Sequence, residues 1–94
     1  MIINLEVLKD SIRKSLNRGN CKCTVCEDDK YVVSIEINAI GRNNLLLKDK
    51  AANRNFAISL HKSDTYSHDM LEHKTERIFA QAMVFLNMIQ EVEV

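Results

Sequence analysis

The 94-residue chain has no proline, no tryptophan and only two glycines, Gly19 and Gly41. Disordered tails, collagenous segments and loop-rich disulfide scaffolds are rich in proline or glycine. The scarcity of both beside 46% hydrophobic residues therefore points to regular elements around a core, organised as a single domain over residues 1–94. No apolar run approaches the roughly 18–20 residues needed to cross a bilayer. The start Met1-Ile2-Ile3-Asn4-Leu5-Glu6 lacks a basic leader. The expectation is a cytoplasmic protein with no membrane partner. The two glycines leave little room for a glycine-rich phosphate loop, and neither a nucleophile elbow nor a paired-carboxylate motif occurs. The chain thus reads as a non-enzyme that needs no cofactor.

Net charge is also missing, since 13 Lys and Arg balance 13 Asp and Glu. The balance hides a polarity: residues 1–62 hold 11 bases against 7 acids, or +4, and residues 63–94 hold 2 against 6, or −4. Such a basic body with an acidic end permits intramolecular or head-to-tail complementarity, but it supplies no overall field to steer the chain onto nucleic acid. The three cysteines, crowded as Cys21-Lys22-Cys23-Thr24-Val25-Cys26, cannot complete a disulfide framework and read as reduced thiols. With His61, His68 or His73 they have the ligand types of a zinc site. However, strand alternation would send Cys21 and Cys23 to one face and Cys26 to the other, so core packing is the reading taken and no metal is expected.

What the chain does contain is periodicity. Asn4 is placed to cap a helix on which Leu5, Leu8, Ile12 and Leu16 recur at helical spacing, with Asn17-Arg18-Gly19 ending it. From Asn20 to Cys26, and again from Tyr31 to Ile40, apolar and polar residues alternate around the polar turn Glu27-Asp28-Asp29-Lys30, the pattern of a β-hairpin. Leu45-Leu46-Leu47 and Phe56-Ala57-Ile58-Ser59-Leu60 supply two further strands. Residues 64–69 are rich in capping side chains, and a long helix follows over about residues 68–91. The reading is an α+β fold in the order α-β-β-β-β-α. An antiparallel sheet of three to four strands is flanked by an N-terminal and a long C-terminal helix, both on one face of the sheet.

Two groups of residues stand out as candidate contacts. Between Ile78 and Ile89 only Gln81 and Asn87 interrupt an apolar sequence. A helix apolar on that many sides demands more cover than one sheet and one short helix provide, and a chain this small buries only about 60–65% of its unfolded surface. Phe79, Met83, Val84 and Met88 are therefore the expected homo-oligomer interface. The second group lies in residues 41–55, read as an exposed loop region, where Arg42, Lys48, Lys50 and Arg54 face Asp49 alone, a local +3. These four are the expected contacts to an acidic protein partner. The alternative is RNA, DNA or a phosphate ligand bound through the same basic residues. The acidic stretch before the last helix, with Asp64 and Asp69, would repel a phosphate backbone and sets nucleic acid second.

The His68–Glu72 and Asp69–His73 pairs, each four residues apart, have the spacing of carboxylate-held imidazoles, but a solvated helix face is the commoner meaning. The functional expectation is a small non-catalytic protein-interaction module acting sterically as an inhibitor, antagonist or assembly factor. Nine asparagines beside many Ile and Lys suggest an AT-rich source such as a phage or mobile element.

Overall fold

The computed structural model describes residues 4–18, 22–37, 42–50, 52–61 and 65–90. Expectations resting on Gly19, Asn20, Cys21, residues 38–41, residues 62–64 and residue 91 lie outside them, as does the side chain of Ile89. Six elements follow in order: α1 (Leu5–Arg18), β1 (Cys23–Glu27), β2 (Tyr31–Ile37), β3 (Asn43–Asp49), β4 (Arg54–Leu60) and α2 (His68–Gln90). The four strands form one antiparallel sheet in the order β1-β2-β3-β4.

Local chemistry sets the boundaries. Asn4 Oδ1 accepts the backbone amides of Glu6 (3.1 Å) and Val7 (3.2 Å), so it caps α1. Ser67 Oγ does the same for α2 by accepting the Met70 amide at 3.2 Å. The β1–β2 hairpin closes on Asp28, whose Oδ1 accepts the amides of Lys30 and Tyr31, both at 2.8 Å. These bonds hold the Asp28 carboxyl below the usual carboxylate range. Asp49 organises the β3–β4 turn by accepting the Ala52 amide at 3.1 Å. The turn is completed by Asn53 at φ 52°, a left-handed conformation that asparagine tolerates better than most residues.

The register shows which side of the sheet is covered. Val33 and Ile35 of β2, Leu45 and Leu47 of β3, and Ile58 and Leu60 of β4 are buried in one cluster. Leu8, Ile12 and Leu16 of α1 and Ala82 and Leu86 of α2 complete that cluster, so both helices lie on one face. The opposite face carries Val32, Ser34, Glu36, Asn44, Leu46, Lys48, Asn55, Ala57 and Ser59, of which only Ser34 is buried. Among the described residues no helix is long and apolar enough to cross a membrane.

Two local expectations change. Residues 41–55 are not an open loop: β3 begins at Asn43, β4 at Arg54, and the connection between them is a tight hairpin. Asn43, within the region read as an exposed loop, is instead buried, and its Nδ2 donates to Ser15 Oγ of α1 at 2.8 Å. The alternation along β1 is also broken. Thr24 pairs with Ser34 but Cys26 with Val33, so Val25 is the extra residue of a β-bulge. Cys26 is thereby returned to the same face as Cys23, which pairs with Ile35, contrary to the expected split.

Candidate interaction surface

The two helices are joined by charge as well as by apolar packing. Arg13 Nε and Nη2 donate to Glu72 Oε1 and Oε2 at 2.7 and 3.1 Å, and Lys9 Nζ reaches Glu76 at 2.9 Å. Lys9 also lies over the Phe79 ring, 4.8 Å from its centroid. Glu72 and Glu76, on the first half of α2, therefore serve to hold α1. Glu72, a candidate partner of His68, is engaged by Arg13, and the guanidinium hydrogen bond lowers its pKa. The spacing of acids on α2 and of bases on α1 was visible in the sequence, but their meeting depends on the helix crossing.

The apolar residues of α2 divide into two sets. Phe79 and Met83 are half-buried against the protein's own core. Val84 and Met88 are 57% and 51% exposed. Helical geometry explains the difference: nine residues from Thr75 to Val84 make about two and a half turns at 3.6 residues each. Thr75 is fully buried, so Val84 points directly away from the core. Ala80 and Asn87 share that outward stripe and are exposed too. Phe85 looks toward β4, where its ring stacks on Phe56 with centroids 4.8 Å apart and 20° between planes.

The four bases of the hairpin region do not form one patch. Arg42 precedes β3, and Lys50 follows it, roughly 25 Å away along a strand rising about 3.3 Å per residue. Lys48 lies on the open face, 3.8 Å from Glu36. Lys50 contacts Glu27 at 3.3 Å and donates to the Asp28 carbonyl at 2.9 Å. Arg54 sits on the helix-covered side of the sheet's register and meets the buried Asp49 at 3.3 Å. Local carboxylates thus offset most of the +3 counted along the sequence.

Two bases of the acidic segment instead line a cleft of about 280 Å³ between β4 and α2. Lys74 and Arg77 stand there with Ser59, His61, Tyr66 and Gln81. The Tyr66 hydroxyl donates to the His61 carbonyl at 2.9 Å, and Lys74 lies over the Tyr66 ring. Cys23 is exposed and Cys26 half-buried. Among the described residues no group of three His, Cys, Asp or Glu is arranged to hold a metal ion. Desolvation pushes the Cys26 thiol up, away from the thiolate that nucleophilic or ligand chemistry requires.

The two sheet edges differ, and which of them is open to a partner depends on the strand order. β1 has five residues and a bulge. β4 has seven residues in regular register, with a single charge, at Arg54. The signal was available: a seven-residue alternating segment at the end of the strand series, with neither Lys nor Pro to guard it.

No family model matches the chain, and neither a curated protein nor a solved structure does.

Proposed function

We propose that this protein is a non-catalytic interaction module that acts sterically on a larger protein, as an inhibitor, antagonist or assembly factor. The observation that carries this reading is the outward stripe of α2, where Val84 and Met88 stand more than half exposed, opposite the core. A fully buried aliphatic side chain is worth about 1.5–3 kcal/mol, so covering these two would supply a compact anchor for a partner. Methionine suits such a role because its unbranched thioether adapts to an irregular surface.

Arg42, Lys48, Lys50 and Arg54 are the proposed contacts to an acidic partner. Because Lys48, Lys50 and Arg54 already have carboxylate neighbours, their contribution falls on encounter rate and orientation more than on affinity.

The test is affinity capture from the native host with the wild-type chain and with Val84→Glu plus Met88→Glu, followed by reconstitution with the purified partner. The reading expects a defined partner whose own activity is blocked or redirected by the wild-type chain, and whose capture drops at least tenfold with the double variant. Equal recovery of the same proteins by both chains would remove the α2 stripe from the mechanism. A recovered partner whose activity is unchanged by the bound chain would remove the steric role.

A further inference from the structure

We infer that two copies of this chain join edge to edge through β4, continuing one sheet across a twofold axis at Ala57. This rests on the interaction-module reading, and it identifies one partner as a second copy.

The inference begins with the hydrogen-bond phase of the sheet. The Lys50 amide donates to the Lys30 carbonyl at 2.7 Å, extending the β2–β3 ladder. In an antiparallel pair, hydrogen-bonded residues alternate with non-hydrogen-bonded ones. Residues 44, 46 and 48 of β3 therefore turn their backbone groups toward β2, and residues 43, 45, 47 and 49 turn theirs toward β4. Their partners there are Leu60, Ile58, Phe56 and Arg54. Asn55, Ala57 and Ser59 consequently direct their amides and carbonyls away from the sheet. That makes three residues with two groups each, or six groups. Among the described residues none of the six is taken up by another part of the molecule.

An edge of this kind is a template for another strand, and its own pattern selects the strand that fits. With the axis at Ala57, Ala57 faces Ala57 of the second copy, and Asn55 faces Ser59 of the second copy in both directions. All six outward groups of each copy are then used, in six hydrogen bonds. Shifting the register by two residues leaves only two such pairs and four bonds. The same register sets Phe56 against Ile58 of the second copy on the helix-covered side, so apolar meets apolar. On the open face it sets only Asn, Ala and Ser against one another, with no like charges opposed. The helices follow the sheet. Phe85 stacks on Phe56 of β4, and Met88, one turn farther along that flank of α2, is carried toward the same junction. β1 has no equivalent capacity, because its bulge leaves a short, twisted edge.

Light scattering and sedimentation across a concentration series, on the full chain, test the inference with three variants. Ala57→Pro removes an outward donor and leaves the β3–β4 ladder intact, since proline is tolerated where its missing N–H would face solvent. Ala57→Lys sets two ammonium groups face to face across the axis. The expected result is a wild-type dimer that weakens by on the order of a hundredfold in either variant, with added salt partly rescuing Ala57→Lys only. Amide exchange at Asn55, Ala57 and Ser59 should also slow as the wild-type concentration rises.

A wild-type chain that stays monomeric at millimolar concentration overturns the inference. So does a dimer that Ala57→Lys leaves unchanged, or one whose three outward amides exchange as freely as in dilute solution. Val84→Glu with Met88→Glu separates this inference from the module reading. If that pair abolishes the dimer while Ala57→Pro and Ala57→Lys leave it intact, the junction is α2 to α2 and the β4 inference fails. A monomeric Ala57→Lys chain that still captures its larger partner upholds both.

Discussion

Arg13 grips both carboxylate oxygens of Glu72 across 59 residues of sequence, from Nε at 2.7 Å and from Nη2 at 3.1 Å, and Asp10 supports the same guanidinium from within α1. The contact ties the C-terminal half of α1 to the first turns of α2. It lowers the pKa of Glu72 and raises that of Arg13, and in each case the hydrogen bond between the two is the leading cause. A carboxylate whose folded-state pKa lies below its unfolded value of about 4.3 stabilises the fold fully above about pH 5. That contribution is lost as pH falls through the folded-state value. Glu72→Gln should therefore be less stable than wild type at neutral pH, with the gap narrowing as the pH falls below about 5. Chemical denaturation of both chains at several pH values checks this. A gap as wide at pH 3 as at pH 7 would show that the ion pair is not its source.

The register of β3 makes a sharper demand on three neighbouring leucines. Leu45 and Leu47 are fully buried beneath the helices, whereas Leu46 is half-buried on the uncovered face. Leu45→Ala or Leu47→Ala should each cost about 2–5 kcal/mol, the range for emptying a core site, and Leu46→Ala about 1 kcal/mol or less. Urea unfolding of the three single variants decides it. Equal costs would mean that the strand is covered on both sides.

These leucines also mark how far the sequence could be read. Element types and order followed from periodicity and from caps such as Asn4, because those signals are local. The side facing the core could be assigned only where apolar and polar residues alternate, as at Phe56-Ala57-Ile58; an unbroken Leu45-Leu46-Leu47 has no such mark. Charge was least legible. The +3 of residues 41–55 is a count along the chain that already includes Asp49, and the pairing of Lys48 with Glu36 and of Lys50 with Glu27 depends on strand register that no local window contains. The outward stripe of α2 lay between these cases. Its apolar excess was visible, but only the packing of α2 onto the core separated Phe79 and Met83, which are half-buried against it, from Val84 and Met88, which are exposed.

The β3–β4 hairpin depends on one left-handed residue. Asn53 at φ 52° occupies a conformation that costs most residues roughly 1–2 kcal/mol, that glycine adopts freely and that β-branched residues strongly disfavour. Asn53→Gly should be close to neutral, and Asn53→Val should lose about 1–2 kcal/mol. Thermal unfolding of the two variants distinguishes a required turn geometry from a tolerated one. If valine is accepted without loss, the turn adopts another form in solution.

The bulge in β1 gives its two described cysteines different chemistry on one face. Cys23 is exposed, whereas Cys26 is half-buried against the core with its thiol pushed up by desolvation. Alkylation proceeds through the thiolate, so iodoacetamide at neutral pH should modify Cys23 well before Cys26. Fragment-ion mass spectrometry resolves the two sites. Equal rates would mean that β1 detaches from β2 faster than the reagent reacts.

Finally, the outward stripe of α2 separates a stability role from a binding role within three residues. Ala82 is fully buried and Val84 is 57% exposed, so a carboxylate at position 82 enters the core while one at position 84 remains in water. Ala82→Glu should cost more than about 3 kcal/mol or prevent folding, because an unpaired charge would be buried. Val84→Glu with Met88→Glu should stay within about 0.5 kcal/mol of wild type in a monomeric sample, as surface changes away from structural features do. Denaturation below the concentration at which copies associate isolates that comparison. A large loss in the double variant under those conditions would mean that the two side chains stabilise the monomer, and their exposure would no longer argue for a partner.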